Sequence, residues 1–401
     1  MAEKTRSHYD RGLSGFSVDP AGGRSTLSPI IVLVFCAWCP AFVANANDER
    51  LSHILKTQTM STLSEVARRA GVTSATVSNV LRNRGRVGEQ TRQRVLEAVE
   101  ALNYRPHLAA RALAEGRAPT IALMVSSIAN PFYPEFALAV EREARKSGHF
   151  VIICNTNEDP HAGRAYLDQI AGTLSEGVLV MNANLDFDDL HKTQARGTPV
   201  VLCMWERPED SPGLPCIAVD FRLAGRLAAK HLIELGHRCI GAIVGSKPSG
   251  IHASRYEGFV DAMREAGLKV PAKNVRYAPD TIQGGYTAAR DLLERDANVT
   301  AIFATNDLPA LGTIHAAADL GRNVPRDLSV VGITDIQLAQ QSRPPLTTVA
   351  VPTVEAAELA VTLLRDLIER PTRKHGAQQK VPRMCVTSGP RLIVRGSTQK
   401  R

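Results

Sequence analysis

Ser74, Ala75, Ser78 and Asn79 fall on one face of a helix-sized segment, Ser74 to about Leu81, whose other face carries Val77, Val80 and Leu81. The amide of Asn79 can pair bidentately with N6 and N7 of adenine. Ser74 can offer one further hydrogen bond and Ala75 a thymine-methyl contact. Arg82, Arg84, Arg86, Arg92 and Arg94 follow as a cationic rim. Such charges hold phosphates and set register without reading sequence. Short polar readers ringed by arginines point to duplex DNA.

The elements needed to present those residues are written around them. Thr62-Leu63-Ser64-Glu65 fits a capping box, in which hydroxyl and carboxylate satisfy free amides at a helix start. Val66, Ala67 and Ala70 then recur at helical spacing. Gly71 stands where a tight interhelical turn needs positive φ, and Thr73 can cap the next helix. A third helix is predicted from about Glu89 to Leu102, where Val95, Leu96, Val99 and Leu102 repeat at intervals of one, three and three. Two short helices about a glycine turn form a helix-turn-helix, the second sized for a major groove.

The chain is 401 residues long, 44% hydrophobic and 22% charged, which is ordinary globular composition with room for two or three domains. Charge is divided unevenly. Residues 61–117 carry 10 basic and 5 acidic groups, residues 118–370 carry 24 and 30, and residues 371–401 carry 8 and none. A basic module beside an acidic body suits a nucleic-acid binder with a second task. Seven cysteines without a spacing frame argue against a disulfide scaffold and for a reducing compartment. Cys36 and Cys39 form a CxxC, but it lies in an apolar stretch without a second ligand pair, so neither a redox nor a metal role is expected.

From Thr62 through TLSEVARRAGVTSATVSNVLRNRGRVGEQTRQRVLEAVEALNYRPHLAARAL, the sequence resembles the headpiece and hinge of the lactose-repressor (LacI/GalR-type) family of bacterial transcription regulators. The resemblance implies that Tyr104-Arg105-Pro106 ends the headpiece. It also implies that HLAARAL, His107 to Leu113, folds into a hinge helix on DNA, with Leu113 wedging between base pairs beside Ala110. An apolar wedge of that kind unstacks a step and kinks the duplex. The expected DNA contacts are Thr62, Ser74, Ala75, Thr76, Ser78, Asn79, Arg82, Arg86, His107, Ala110 and Leu113. Family members usually carry Asn where His107 stands and Ser where Gly88 stands; the first change bears on a hinge phosphate contact, the second on a helix cap.

Beyond the 107–117 hinge and linker, short apolar runs alternate with amphipathic segments over 118–395: Ile121–Val125, Val151–Cys154, Val178–Met181, Val200–Met204, Ile240–Val244, Ala301–Ala304 and Ser329–Ile333 read as buried strands. That alternation predicts parallel sheets covered on both faces, in two lobes given the length, with ligands at strand carboxyl ends. The family resemblance continues through Asn130-Pro131-Phe132-Tyr133, Arg255-Tyr256-Glu257-Gly258-Phe259, Thr305-Asn306-Asp307 and Pro390-Arg391-Leu392-Ile393-Val394-Arg395. It implies a periplasmic-binding-protein-like α/β body of two doubly wound lobes behind an all-α headpiece. Crossings are implied near 220, 348 and 381, with a tail at 396–401. Effector contacts implied by the matching positions are Phe132, Tyr133, Ser249, Ile251, Arg255, Asp280, Asn306 and Thr334. Relatives usually place an aspartate at Thr334 and often an aromatic at Asp280, so a polyol acceptor and a stacking platform are lost, and Asp280 can supply an acceptor from another direction.

Residues 1–60 conflict with that picture. Arg6, Arg11 and Arg24 precede an apolar run, Ile30 to Val43, broken by Pro40, and Ala44-Asn45-Ala46 resembles a signal-peptidase site. The run is short for a span of about 20 residues, and Met60 directly precedes the first well-formed module, so translation is expected to start at or near Met60. An exported solute-binding receptor is the alternative reading, and it leaves 61–117 without a purpose. No nucleophile elbow, phosphate loop or metal-ligand cluster is visible, so neither catalysis nor a cofactor is expected. The expectation is a cytoplasmic, homodimeric repressor without membrane association, binding a pseudo-palindromic operator under control of a small effector such as a sugar or sugar acid, with a nucleobase also open. The connector PTRKHGAQQK, 371–380, receives no function, and the absence of leucine heptads near the carboxyl end argues against a helical tetramer.

Overall fold

The computed structural model describes residues 61–81, 85–104, 119–181, 185–206, 212–245, 250–369 and 384–401. Residues 1–60, with Cys36, Cys39 and the export-like segment, lie outside them, as do Arg82, Arg84, His107, Ala110, Leu113, Ser249 and the 371–380 connector. The chain divides into two compact units, 1–105 and 106–401.

The described part of the first unit holds helices α1 (Leu63–Ala70), α2 (Ser74–Leu81) and α3 (Glu89–Ala101). The capping box at Thr62 and Glu65 forms in both directions, and Gly71 ends α1 at φ 63°. Thr73 Oγ1 accepts from the Thr76 amide at 3.2 Å, which starts α2. Gly88 precedes α3 with no side-chain cap. Val66, Ala67, Ala70, Val77, Val80, Val95 and Ala98 make the core. Of the apolar repeat along α3, Leu96 is 44% exposed, because the inward face runs through Val95 and Ala98. Ser61 Oγ donates to the Leu102 carbonyl at 2.8 Å and ties the two ends of the bundle together.

In the second unit, strand and helix alternate as the sequence predicts. Lobe 1 contains β1 (Thr120–Val125), α4 (Phe132–Lys146), β2 (Phe150–Asn155), α5 (Pro160–Ile170), β3 (Gly177–Met181), α6 (Phe187–Ala195), β4 (Val200–Trp205) and β5 (Cys216–Ala218). Lobe 2 contains α7 (Phe221–Glu234), β6 (Ile240–Gly245), α8 (Ile251–Glu265), β7 (Val275–Ala278), α9 (Ile282–Arg295), β8 (Ala301–Ala304), α10 (Asp307–Asp319), β9 (Ser329–Thr334), α11 (Gln337–Gln341) and β10 (Thr347–Ala350). The chain then returns as α12 (Thr353–Glu369) and β11 (Met384–Val386) on lobe 1, and ends through β12 (Arg391–Ile393) on lobe 2.

The lobe 1 sheet has the order β11-β5-β4-β3-β1-β2 and is parallel throughout. The lobe 2 sheet, β12-β10-β9-β8-β6-β7, is parallel except at β12. Both are doubly wound sheets with helices on both faces, which explains strands that are apolar without alternation, such as the fully buried Ile240–Gly245. Crossings between lobes fall between β5 and α7, between β10 and α12, and between β11 and β12. The third lies at 387–390 rather than near Val381, because Met384–Val386 still pairs with β5.

Two glycines set the framework of lobe 2. A Cβ on Gly225 of α7 would lie 1.8 Å from the Arg255 carbonyl oxygen, and one on Gly258 of α8 would lie 1.9 Å from that of Arg222. Only glycine permits this approach. It sets α8 against α7 and places the Arg255 guanidinium 4.6 Å from the Phe221 ring centre. Phe259 stacks on Phe303 at 4.3 Å beneath them.

Candidate effector cleft and nucleic-acid interface

On α2, Ala75 and Asn79 are exposed, and Ser74, Thr76 and Ser78 are half-buried. Thr76 Oγ1 lies 2.9 Å from Thr73 Oγ1, so its hydroxyl is partly engaged in starting the helix. Thr62 is exposed but bound to Glu65 through its amide at 2.7 Å, and that capping holds the Glu65 carboxyl below its ordinary value. Arg86 is exposed beyond α2, as is Arg94 on α3. The face therefore offers one free amide, small neighbours and cations.

In the second unit, parallel strands direct their carboxyl ends toward the space between the lobes. A cavity of about 380 Å³ lies there. Ser126 and Ser127 follow β1, Asn157 and Glu158 follow β2, and Asn130 and Tyr133 come from the turn and start of α4. Lobe 2 supplies Gly250, Ile251 and His252 at the start of α8, Pro279, Asp280 and Thr281 after β7, and Leu308. Asn157 and Glu158 reach the cavity with φ of 51° and 61°, a left-handed pair that turns the chain sharply away from β2.

Of the residues expected in the cleft, the structure brings Tyr133, Ile251 and Asp280 onto this wall. Phe132 packs edge-on against Tyr133 and is 5% exposed. Asn306 turns its carbonyl to the Leu308 amide and caps α10. Thr334 donates to Asp307 Oδ2 at 3.1 Å with its backbone at φ 134°, a strained value for a β-branched residue. Arg255 is wholly buried, and its Nη1 donates to the Thr305 carbonyl at 2.7 Å. These four stand behind the wall.

Several residues on or near the wall are not among the effector contacts that the sequence singles out. Asn130 Nδ2 donates to Asp280 Oδ2 across the lobes at 3.0 Å. His252 Nδ1 lies 3.0 Å from Thr305 Oγ1, and its Nε2 lies 4.0 Å from Asp280. A second bridge runs from the Gln337 amide of lobe 2 to Glu135 Oε1 of lobe 1 at 2.9 Å. Asp307 is buried and saturated: Oδ1 accepts from Thr348, and Oδ2 accepts from Thr334 and the Ile336 amide. The match to Thr305-Asn306-Asp307 was the one signal available for Asp307.

Electrostatically the site is tense. Burial pushes the Asp280 carboxyl up to about 7, against the opposing pull of Arg255, and burial likewise pushes Asp307 up to about 6. Burial lowers Arg255 to about 10, with Asp280 and Asp307 resisting. Arg255 Nε and Nη2 and Asp280 Oδ1 are buried with no hydrogen-bond partner. Unmet donors and acceptors of this kind are costly unless something fills them.

Comparison with known proteins agrees with this arrangement. The model of the bacterial regulatory proteins of the lacI family matches residues 62–107, and that of the periplasmic binding protein-like domain matches residues 229–398. A transcriptional repressor, PurR of Haemophilus influenzae, is 34% identical over 341 residues, which cover 85% of this chain and 99% of that protein. The chain belongs to the LacI family. The regulator DegA of Bacillus subtilis is 36% identical to it, over 84% of this chain and 98% of its own. Among solved structures, a regulator CelR bound to cellobiose superposes on this LacI-family chain with a TM-score of 0.61 and 30% identity, over 84% and 99% of the two chains. A lac repressor dimer bound to operator gives a TM-score of 0.74 at 24% identity, over 85% and 99%, a likeness of fold. This LacI-family chain is a DNA-binding transcriptional regulator controlled by an effector. Among the described residues, no helix is long and apolar enough to cross a membrane.

Proposed function

We propose that this regulator is a cytoplasmic, non-catalytic homodimeric repressor whose two headpieces take the half-sites of a pseudo-palindromic operator. Asn79 reads a base edge, Ser74, Ala75 and Ser78 adjoin it, and Thr62, Thr76, Arg82 and Arg86 contact the backbone. Ala110 and Leu113, outside the described residues, are assigned the central minor groove, and His107, also outside them, a hinge phosphate. That relatives are named as repressors, and that one solved relative is a dimer on its operator, supports this reading.

The effector is proposed to enter between the lobes, beside Tyr133, Ile251 and Asp280, with Arg255 behind them and Phe132, Asn306, Thr334 and Ser249 shaping the surround. The observation that carries this is the cavity with buried, unpartnered Arg255 Nε and Nη2 and Asp280 Oδ1. A hydroxyl both donates and accepts, so adjacent hydroxyls can satisfy both sides. Among the described lining residues Glu158 and Asp280 are acidic and none is Lys or Arg, which favours a neutral sugar over a sugar acid. Among the described lining residues Tyr133 is the one aromatic ring, so a flat base finds no stacking pair there.

The test is a thermal-shift screen of sugars, sugar acids and purines on the full chain, repeated with Asp280→Asn and Arg255→Lys. A cleft ligand raises the midpoint of the native chain and loses its effect in both variants. A ligand whose shift survives both substitutions rules out this placement.

A further inference from the structure

A second cavity, of about 470 Å³, lies at the opposite end of the lobe 2 sheet. Its walls are the segment before β8 with Thr300, the segment before β9 with Arg322, Arg326 and Asp327, and the last residues, Lys400 and Arg401. The effector cavity lies at strand carboxyl ends and this one at amino ends. A six-residue strand such as β9 separates them by about 20 Å.

Charge is concentrated in this pocket. Arg322 gives Nη2 to two backbone carbonyls, Val299 at 2.6 Å and Asp327 at 3.1 Å, so no carboxylate neutralises it directly. Asp327 is already taken by Arg326 at 3.1 Å and by the amide and side chain of Asn323. Lys400 and Arg401 are exposed and their side chains make no ion pair. Asp327 is the acidic side chain among the described lining residues. Like charges gathered in a concavity repel one another: burial, with Arg401 adding to it and Asp327 opposing, lowers Arg322, and burial, with a smaller part from Arg401, lowers His237. His237 is no rival ligand, since its nitrogens lie 3.0 Å from Thr300 Oγ1 and from Ser329 Oγ. Arg326 is paired with Asp327, whereas Arg322, Lys400 and Arg401 make no ion pair among the described residues, and a concave cluster with that excess of positive charge is suited to a compact, multiply charged oxyanion.

We propose that this pocket is a second ligand site, for a phosphate group, held by Arg322, Arg326, Lys400 and Arg401. The bound group draws the carboxyl-terminal residues onto the segment before β9. It is independent of the effector reading, since it shares no residue with the cleft.

Isothermal titration of the full chain with inorganic phosphate and with glycerol phosphate, at ionic strength matched by sodium chloride, tests this. One phosphate-specific site is expected. Lys400→Gln with Arg401→Gln should weaken it by about tenfold or more, the loss expected on removing charge-assisted contacts. Arg326→Gln should also weaken it. Lys273→Gln, which removes a cation of the same lobe already paired with Asp296 at 3.0 Å, should not. Tighter binding of glycerol phosphate assigns an ester, and tighter binding of the free ion assigns phosphate itself. Absence of phosphate binding beyond the chloride control overturns the proposal. So does binding that survives the 400–401 substitutions or that disappears with Arg86→Gln in the headpiece.

Discussion

Asn130 and Asp280 meet across the two lobes at 3.0 Å, and this bond uses one oxygen of a carboxylate whose other oxygen has no partner. The contact joins lobe closure to the state of a single side chain. A ligand that reaches Asp280 Oδ1 therefore acts on the same group that links the lobes.

Because burial raises Asp280 from 3.8 to about 7, the folded chain binds a proton more tightly there than the unfolded chain does. Stability contributed by that proton is full below about pH 4 and is lost as pH rises toward 7. Asp307, raised to about 6, acts in the same direction over a narrower window. Asp280→Asn should therefore flatten the decline between pH 4 and 7 without abolishing it. Urea unfolding at successive pH values measures this, and an unchanged slope contradicts the assignment.

Gly225→Ala should cost about 3 kcal/mol or more in chemical denaturation, because its Cβ would fall 1.8 Å from the Arg255 carbonyl oxygen and neither helix can move aside cheaply. Ala at Gly88, which has open space around it, should cost far less.

Asp307→Ala should cost about 3 kcal/mol, since it strips the acceptor from two hydroxyls and the Ile336 amide, all buried. The same variant should loosen the turn that leaves β9 at Thr334, seen as faster amide exchange at Ile336.

In the headpiece, Asn79→Ala should relax base preference by about 1–3 kcal/mol at one position of the site, whereas Arg86→Gln should weaken specific and random duplexes alike. Equal losses on both duplexes for Asn79→Ala would remove it as a reader. Leu113→Ala is expected to reduce operator affinity strongly.

What the sequence discloses here follows the range of the interaction. Thr62, Glu65 and Gly71 act within one turn of chain, so their capping box and left-handed turn are legible from spacing alone. The doubly wound lobes are legible because strands buried on both faces must be apolar throughout. Apolar spacing does not tell which way Leu96 faces, since a helix face shifts with each residue, and Val95 and Ala98 occupy the inward face. The third crossing moved to 387–390 because pairing of β11 with β5, distant in sequence, decides it. In the cleft, position along the chain indicates which loops arrive but not which way a side chain turns. Asn306 and Thr334 arrive and turn toward backbone and Asp307, while Asn130, His252 and Glu158 reach or approach the cavity through contacts between distant segments.

Selection of duplexes from a genomic library by the purified full chain, followed by titration of the enriched sequence against a scrambled one at moderate salt, addresses the central claim most directly. The account predicts a two-fold symmetric site bound about a thousandfold more tightly than the scramble, with an affinity that shifts when a cleft ligand is added. Equal binding to both duplexes, with and without such a ligand, would contradict it.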